Sequence, residues 1–266
     1  MQRHIPFEQA VNFRDLGGYA TLDNRRTCWN KLYRSAHLAN LSDADVAALQ
    51  ALNLNLVCDF RTIEEQERGP SRLPESMPHK RLSLDIWPSG ARVPTDVVKS
   101  MIFDGETVEA VHETQREMYR GLAVEFADRY AQMFAALLEG QGKPALIHCR
   151  GGRDRTGFGA ALILSAFGVP HKTIVEDYLL TNEAPTANNF ISKMVRTYAE
   201  DMPGRRKDEL EKLFHAVFPV HAENLAAAFD AVDAQFGSID RYFTDALGVS
   251  DESRAALQSW YLEAPR

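Results

Sequence analysis

The residues best suited to do chemistry lie in one segment, Cys149–Arg155, which reads Cys-Arg-Gly-Gly-Arg-Asp-Arg. An apolar run leads into the cysteine, and Thr156 opens an apolar helical pattern after the arginine. Gly151 and Gly152 permit the unusual φ angles that a tightly curled, anion-binding loop requires. A helix N-terminus adds unpaired N–H groups and a positive dipole end, which also favour an anion. The segment therefore predicts a phosphate cradle.

The side chains of this segment predict nucleophilic chemistry at phosphorus. The field that binds the anion also stabilises a thiolate, so we expect Cys149 to be nucleophilic at neutral pH. Arg155 can bind two phosphate oxygens bidentately, and Arg150 and Arg153 add positive charge. Thr156 can hydrogen-bond the sulfur when a phosphocysteine is hydrolysed. We expect a cysteine-dependent phosphomonoester hydrolase.

Other interpretations of the cysteine remain open. A cysteine followed by an arginine six residues later is a weak signal alone, and a buried structural cysteine at a strand end would also fit. A non-catalytic phosphate-binding module could keep the same cradle. A rhodanese-type sulfurtransferase also uses a cysteine-headed loop, but it does not need the arginine before the helix. A cysteine protease would need a partner histidine, which the sequence does not identify.

Composition excludes several other classes of function. The net charge of −7 and the pI near 5.6 argue against binding of nucleic acid through the overall field. Three cysteines do not make a disulfide framework, and no Cys-x-x-Cys pair suggests zinc. The N-terminus lacks the apolar core of a secretory signal, and the longest apolar stretch, 158–169, is too short to span a bilayer. We expect a cytoplasmic protein without stable membrane insertion; export without a cleaved signal and the oligomeric state stay open.

The pattern of elements predicts one α/β domain over residues 1–266, with a parallel sheet covered by helices and a helical C-terminal portion. Ser42 and Asp45 form a capping-box pattern at a helix start, and residues 107–139 read as helix, broken at Gly121. The predicted strands are Lys31–Ser35, Leu54–Phe60, Lys80–Asp85 and Pro144–Cys149. The later predicted helices are 156–167, 171–181, 186–200, 205–217, 221–236 and 250–262.

The segment His148–Gly157 resembles the signature of the cysteine-dependent (CX5R) protein tyrosine phosphatases. It is most similar to the bacterial branch that includes a mycobacterial tyrosine and phosphoinositide phosphatase. Further stretches match that branch in order along most of the chain: Asn12–Gly18, Leu32–Ala36, Asp59–Thr62, Asp177–Asn182 and Phe236–Tyr242. The resemblance implies a four- or five-stranded parallel sheet flanked by helices, and no metal or other cofactor. It also implies a phosphotyrosine protein as substrate, with a phosphoinositide as the alternative.

The resemblance leaves two candidates for the general acid. This branch places an aspartate inside the signature loop, and Asp154 occupies that position. Asp85, at the end of a predicted strand, could instead sit on a loop over the same pocket or be a capping or turn residue. Asp154 is favoured because its place in the loop fixes it beside the phosphate. Arg153 replaces the lysine that the branch usually has, and arginine is a planar fork where lysine is a point charge.

The remaining expectations concern residues around the cradle. Asn12, Arg14, Asp15 and Arg34 are expected to make buried hydrogen bonds that hold the N-terminal segment against the loop. His148 could tune the thiolate or be a core histidine. The tyrosines Tyr119, Tyr130 and Tyr178 are expected to pack rather than to contact substrate. The long polar stretch 86–129 is a candidate lid over the site.

Overall fold

A computed structural model describes residues 2–74, 80–87, 107–184 and 207–264, together with positions 91, 100, 192, 195 and 196. The strands of its main sheet are β1 Arg14–Asp15, β3 Leu32–Ser35, β4 Leu56–Asp59, β5 Lys80–Ser83 and β6 Ala145–His148. Their order in the sheet is β1-β3-β6-β4-β5. Four of them are parallel, while β1 runs antiparallel to β3 at one edge.

The predicted α/β class is confirmed, with one difference at the sheet edge. A parallel pair needs a crossover connection, usually a helix. The connection between β1 and β3 carries instead a short strand, β2 Arg26–Thr27, which pairs with β7 Leu262–Glu263. The chain therefore turns back, and β1 joins the sheet in the antiparallel direction.

Helices flank the sheet and begin largely where the sequence pattern places their caps. Ser42 and Asp45 form the predicted capping box at the start of α1. Ser250 caps the last helix, as its position predicts. The helices are α1 Asp43–Ala51, α2 Ile63–Arg68, α3 Val108–Val124, α4 Ala127–Gly140, α5 Asp154–Ala166, α6 His171–Leu179, α7 Lys207–Val217, α8 Ala222–Phe236 and α9 Asp251–Tyr261.

The predicted break at Gly121 is wrong. Helix α3 runs through Gly121, and the helical run is interrupted only at Glu125 and Phe126. A glycine inside a helix costs about 1 kcal/mol relative to alanine. Burial of the neighbouring Tyr119, Leu122 and Ala123 offsets that cost.

Alternating side chains along the strands build a core on each face of the sheet. In β6, Ala145 and Ile147 point into the larger core with the apolar sides of α3 to α6 and of α8. Leu146 points to the other face, into a smaller core. A strand with both faces buried lies in the middle of the sheet. The nucleophile candidate follows that central strand.

Two predictions fall wholly or partly beyond the described residues. Most of the predicted helix 186–200 and most of 88–106, the first part of the candidate lid, lie outside them. The described remainder of the candidate lid is largely α3, which buries Val111, Tyr119 and Leu122 in the core. The lid hypothesis stays a prediction. Within the described part of the chain, no helix has the length and apolarity needed to cross a membrane.

Candidate active site

The signature loop leaves the sheet at the carboxyl end of its central strand. Cys149 follows β6 directly and is buried, and Arg153 is the residue before α5. The first amides of α5 have no partner within the helix, so this end of the helix can receive an anion. The strand and the helix thus fix the thiol and the helix N-terminus at opposite ends of one short loop.

Only one of the two loop glycines takes the predicted left-handed conformation. Gly152 has a φ of +64°, and a Cβ atom there would lie 2.5 Å from the Ser35 carbonyl oxygen. Gly151 is not among the residues with positive φ. The glycine requirement therefore rests on Gly152, where the loop passes against the end of β3.

The Gly152 carbonyl oxygen is anchored from outside the loop. Asn12 Nδ2 donates to it at 2.8 Å, and Arg34 Nη2 donates to it at 3.0 Å. Arg14 in turn donates to the Asn12 side-chain oxygen. These donors come from the N-terminal segment and from β3. The buried contacts of Asn12 and Arg34 with the loop agree with the expectation from the sequence. Asp15 instead accepts from Gly17 N and Asn30 N, each at 2.7 Å, within the N-terminal part of the chain.

Asp177, in helix α6, neutralises the arginines of this network. Its carboxylate accepts from Arg14 Nε at 3.1 Å, Arg34 Nη1 at 2.8 Å and Tyr19 Oη at 2.7 Å. Burial alone would raise the pKa of Asp177, but the two guanidinium groups outweigh it and hold that pKa well below its usual range. Burial and Arg14 lower the pKa of Arg34 to about 10, so Arg34 remains charged near neutrality. The network is therefore an ion cluster at neutral pH.

Arg155 is held in place by a carboxylate that sequence reasoning missed. Its Nη1 donates to Glu65 Oε2 at 2.6 Å and its Nη2 to Glu65 Oε1 at 3.2 Å. Nη1 also contacts the carbonyl oxygens of Phe60 and Ile86 at 3.3 and 3.2 Å. Burial would lower the pKa of Arg155, but Cys149 and Glu65 raise it overall, so it stays cationic. Among the described residues these partners take Nη1 and one side of Nη2, so Nε and the remaining Nη2 hydrogen can donate to an oxyanion.

Glu65 also belongs to a capping box at the start of α2. Thr62 N donates to Glu65 Oε2 at 3.0 Å, and Glu65 N donates to Thr62 Oγ1 at 3.1 Å. The pattern Thr62-x-x-Glu65 was a visible signal for this helix start. It would have placed Glu65 next to the Asp59–Thr62 stretch, but nothing local indicates that the carboxylate reaches Arg155.

Asp154 is the first residue of α5 and is half-buried. Tyr119 Oη donates to its Oδ1 at 2.8 Å, and the hydroxyls of Tyr119 and Tyr178 lie 2.6 Å apart. These two tyrosines were expected to be packing residues only. A buried tyrosine hydroxyl requires a polar partner, which was the available signal.

The Asp85 carboxylate has a different hydrogen-bond partner from that of Asp154. It has a φ of +44°, and its Oδ1 accepts from Ile63 N at 3.0 Å at the start of α2. That contact is the helix-capping role anticipated as its alternative. Among the described residues, Asp154 thus accepts from a tyrosine hydroxyl, whereas the Asp85 carboxylate accepts from a backbone amide of α2.

The remaining predicted phosphate ligands have distinct environments. Arg150 is exposed, and the Arg153 guanidinium stacks over the Phe218 ring at 4.0 Å. Thr156 is buried, and its Oγ1 has no hydrogen-bond partner among the described residues, so its contact with the cysteine sulfur stays a prediction. No group of three or more His, Cys, Asp or Glu side chains in the described ranges could hold a metal ion.

His148, directly before the cysteine, is fully buried beside Asp59. Its Nε2 lies 3.6 Å from Asp59 Oδ2, and neither ring nitrogen has a hydrogen-bond partner among the described residues. Burial lowers the pKa of His148 to about 4, and the nearby Asp59 carboxylate only partly opposes that effect. Arg61 pairs with Asp59 through Nη2 at 2.6 Å. His148 is therefore neutral at physiological pH.

Comparisons with known proteins show which family this chain resembles. A sequence model described as "Tyrosine phosphatase family" matches residues 5–263. The triple specificity protein phosphatase PtpB of Mycobacterium tuberculosis is 33% identical over 260 residues, covering 91% of this chain and 92% of that protein. A putative tyrosine-protein phosphatase of Cupriavidus necator is 32% identical over 263 residues, covering 98% and 89%. The protein in the crystal structure of Pseudomonas aeruginosa TpbA has 21% sequence identity to this chain. The match covers 75% of this chain and 96% of that one, with a TM-score of 0.31.

We expect His148 to make stability depend on pH. Because its pKa is about 4 when folded and about 6.5 when unfolded, the unfolded chain binds the extra proton first. The free energy of unfolding should therefore fall by roughly 3 kcal/mol as pH decreases from about 6.5 to about 4. Urea denaturation of wild type and His148→Asn across this range tests it. A variant whose stability falls as steeply as that of wild type would contradict the assignment.

Proposed function

The chain belongs to the tyrosine phosphatase family, whose members are phosphoric monoester hydrolases, and we propose that it hydrolyses phosphotyrosine in proteins through a phosphocysteine on Cys149. The observation that carries the proposal is the loop Cys149–Arg155. It places a buried thiol, a cationic guanidinium and an acidic side chain around the N-terminus of α5. This combination suits attack on a phosphate dianion.

In the first step, the Cys149 thiolate forms the S–P bond as the bond from phosphorus to the leaving oxygen breaks. The electrons of that bond go to the leaving oxygen, which takes a proton from Asp154. The loop N–H groups and Arg155 hold the three equatorial oxygens, whose charge spreads in the transition state. The products are the free tyrosine hydroxyl and the phosphocysteine.

In the second step, a water oxygen forms a bond to phosphorus while the S–P bond breaks. The Asp154 carboxylate takes the proton of the water, and the thiolate is restored as inorganic phosphate forms. Asp154 thus ends the cycle protonated, ready for the next leaving group.

All three cysteines of the chain are unpaired, which fits the reducing, cytoplasmic compartment that this thiol chemistry favours.

The substrate alternative is a phosphoinositide headgroup. The exposed Arg150 and the Arg153 side chain belong to the loop and could bind a second phosphate. Against this alternative, the net charge of −7 opposes approach to an anionic membrane. Comparing kcat/KM for a phosphotyrosine peptide and for phosphoinositides in vesicles would decide between the two.

Turnover of an aryl phosphate in excess chelator tests the mechanism. We expect full activity with EDTA, loss of activity on thiol alkylation, and a fall of at least about 10⁴-fold in Cys149→Ser, because the nucleophile is gone. Acid quenching of the wild type should trap a phosphocysteine. Unchanged turnover by Cys149→Ser would overturn the proposal, and binding of phosphate without turnover would indicate a non-catalytic module.

Replacing each candidate acid identifies the proton donor. We expect Asp154→Asn to lower kcat/KM for phenyl phosphate by about 10²- to 10³-fold and to remove the alkaline limb of its pH profile. Asp85→Asn should change kcat/KM by less than about threefold, because its carboxylate caps α2. The opposite result for the two variants would transfer the role to Asp85.

Glu65→Gln should lower kcat/KM by about 10²-fold. Without the carboxylate the Arg155 guanidinium is displaced, and it then binds the transition state less tightly. Glutamine keeps a side-chain oxygen for Thr62 N, so the start of α2 is retained. Glu64→Gln is the matched control, since Glu64 is exposed on the same helix and pairs with Arg68. Steady-state kinetics that show equal losses in the two variants would refute the role of Glu65.

A further inference from the structure

Two buried tyrosines from different helices meet at the candidate acid. Tyr119 lies in α3 and Tyr178 in α6, and their rings are 6.1 Å apart at an angle of 80°. Tyr119 Oη donates to Asp154 Oδ1 at 2.8 Å, and the two hydroxyls are 2.6 Å apart. Tyr119 is fully buried and Tyr178 nearly so. Three side chains distant in sequence therefore form one hydrogen-bonded chain.

The direction of this chain follows from its donors. Tyr119 has a single O–H, and it is donated to the carboxylate. In the contact between the tyrosines, Tyr178 must therefore donate and Tyr119 must accept. Burial and the charge of Asp154 raise the pKa of both tyrosines far above neutrality, so both keep their protons. The hydrogen bonds are therefore donated in one direction, from Tyr178 to Tyr119 and from Tyr119 to Asp154.

We propose that Tyr119 is a positioning residue that selects Oδ2 of Asp154 as the oxygen carrying the transferable proton. This inference rests on the proposed role of Asp154 as general acid. Because Oδ1 accepts the Tyr119 hydrogen bond, a proton on the carboxyl group is placed on Oδ2. The same bond fixes the rotation of the side chain about the start of α5 and so the direction in which Oδ2 points.

Neighbouring contacts of the signature segment do not depend on the Tyr119 hydroxyl. Glu65 holds the Arg155 guanidinium, and the hydroxyl of Tyr130 in α4 donates to the Arg155 carbonyl oxygen at 3.1 Å. These contacts remain in a Tyr119 variant, so a change there in the dependence of kcat/KM on the leaving group reports the lost hydroxyl.

The test is kcat/KM of Tyr119→Phe with two leaving groups. At the optimum, kcat/KM should fall about 10-fold with phenyl phosphate, whose leaving group needs a proton. With p-nitrophenyl phosphate, whose leaving group departs readily as an anion, it should fall less than about threefold. Tyr178→Phe should show the same difference between the two leaving groups with a smaller loss.

Tyr242→Phe is the matched control. Tyr242 is a fully buried tyrosine whose hydroxyl donates to Ala123 O in the same helix α3 at 2.6 Å. Its removal should lower stability without making kcat/KM depend more on the leaving group. If Tyr119→Phe and Tyr242→Phe lose the same activity with each leaving group, or if the loss in Tyr119→Phe is equal for the two leaving groups, the inference is overturned.

Asp154→Asn separates this inference from the function on which it rests. If Asp154→Asn keeps the alkaline limb, Asp154 is not the acid and the mechanistic assignment itself fails. If the limb disappears in Asp154→Asn but Tyr119→Phe loses no more activity with phenyl phosphate than with p-nitrophenyl phosphate, only the positioning role fails. In the double variant Tyr119→Phe/Asp154→Asn, we expect no loss with phenyl phosphate beyond that of Asp154→Asn alone.

Discussion

The buried carbonyl oxygen of Gly152 needs hydrogen-bond donors, and much of the structure around the loop supplies those donors or holds them in place. A loop that turns its N–H groups toward an anion turns carbonyl oxygens the other way, and buried carbonyl oxygens need donors. Asn12 and Arg34 supply those donors, and Arg14 and Asp177 hold them in position. Breaking such a buried ion pair by removing one partner typically costs 3–5 kcal/mol. The shape of the loop is therefore tied to the stability of the domain.

A second buried ion pair, between Glu65 and Arg155, fixes the guanidinium on the other side of the site. Glu65 itself is fixed by the capping box at the start of α2. Burial would raise the pKa of Glu65, but Arg155 outweighs it and keeps the carboxylate ionised. The strong donors of Arg155 are thus pre-aligned before substrate arrives, and preorganised donors lose little energy to reorganisation during the reaction.

The sheet order explains why these distant pieces converge. The strands β3 and β4 flank β6, so Ser35 and Asp59 both lie beside His148. Parallel strands carry the residues that follow them to one edge, and ligands of α/β proteins bind at that edge. The end of β3, the capping box after β4 and the loop after β6 therefore meet at one place, although they are far apart in the chain.

The sequence by itself determined the α/β class, the strand that precedes Cys149, the capped starts of α1 and α9, and the loop from Cys149 to Arg155. Each of these follows from local chemistry: periodicity, a capping pair, or a glycine beside a charged group. The family resemblance added the branch of phosphatases, and the match over residues 5–263 confirms it.

Only the tertiary structure decided which partners hold those groups. Glu65 is 90 residues from Arg155, and Tyr119 is 35 residues from Asp154. Nothing in the local pattern of a capping glutamate or a helical tyrosine tells where its side chain ends, because that depends on how α2, α3 and α6 pack against the sheet. The long helical run is interrupted at Glu125 and Phe126 and not at Gly121, because burial of the residues next to Gly121 outweighs the low helix propensity of that one glycine. Local preferences specify elements and caps, whereas the geometry that selects proton positions and charge partners arises only when the elements meet.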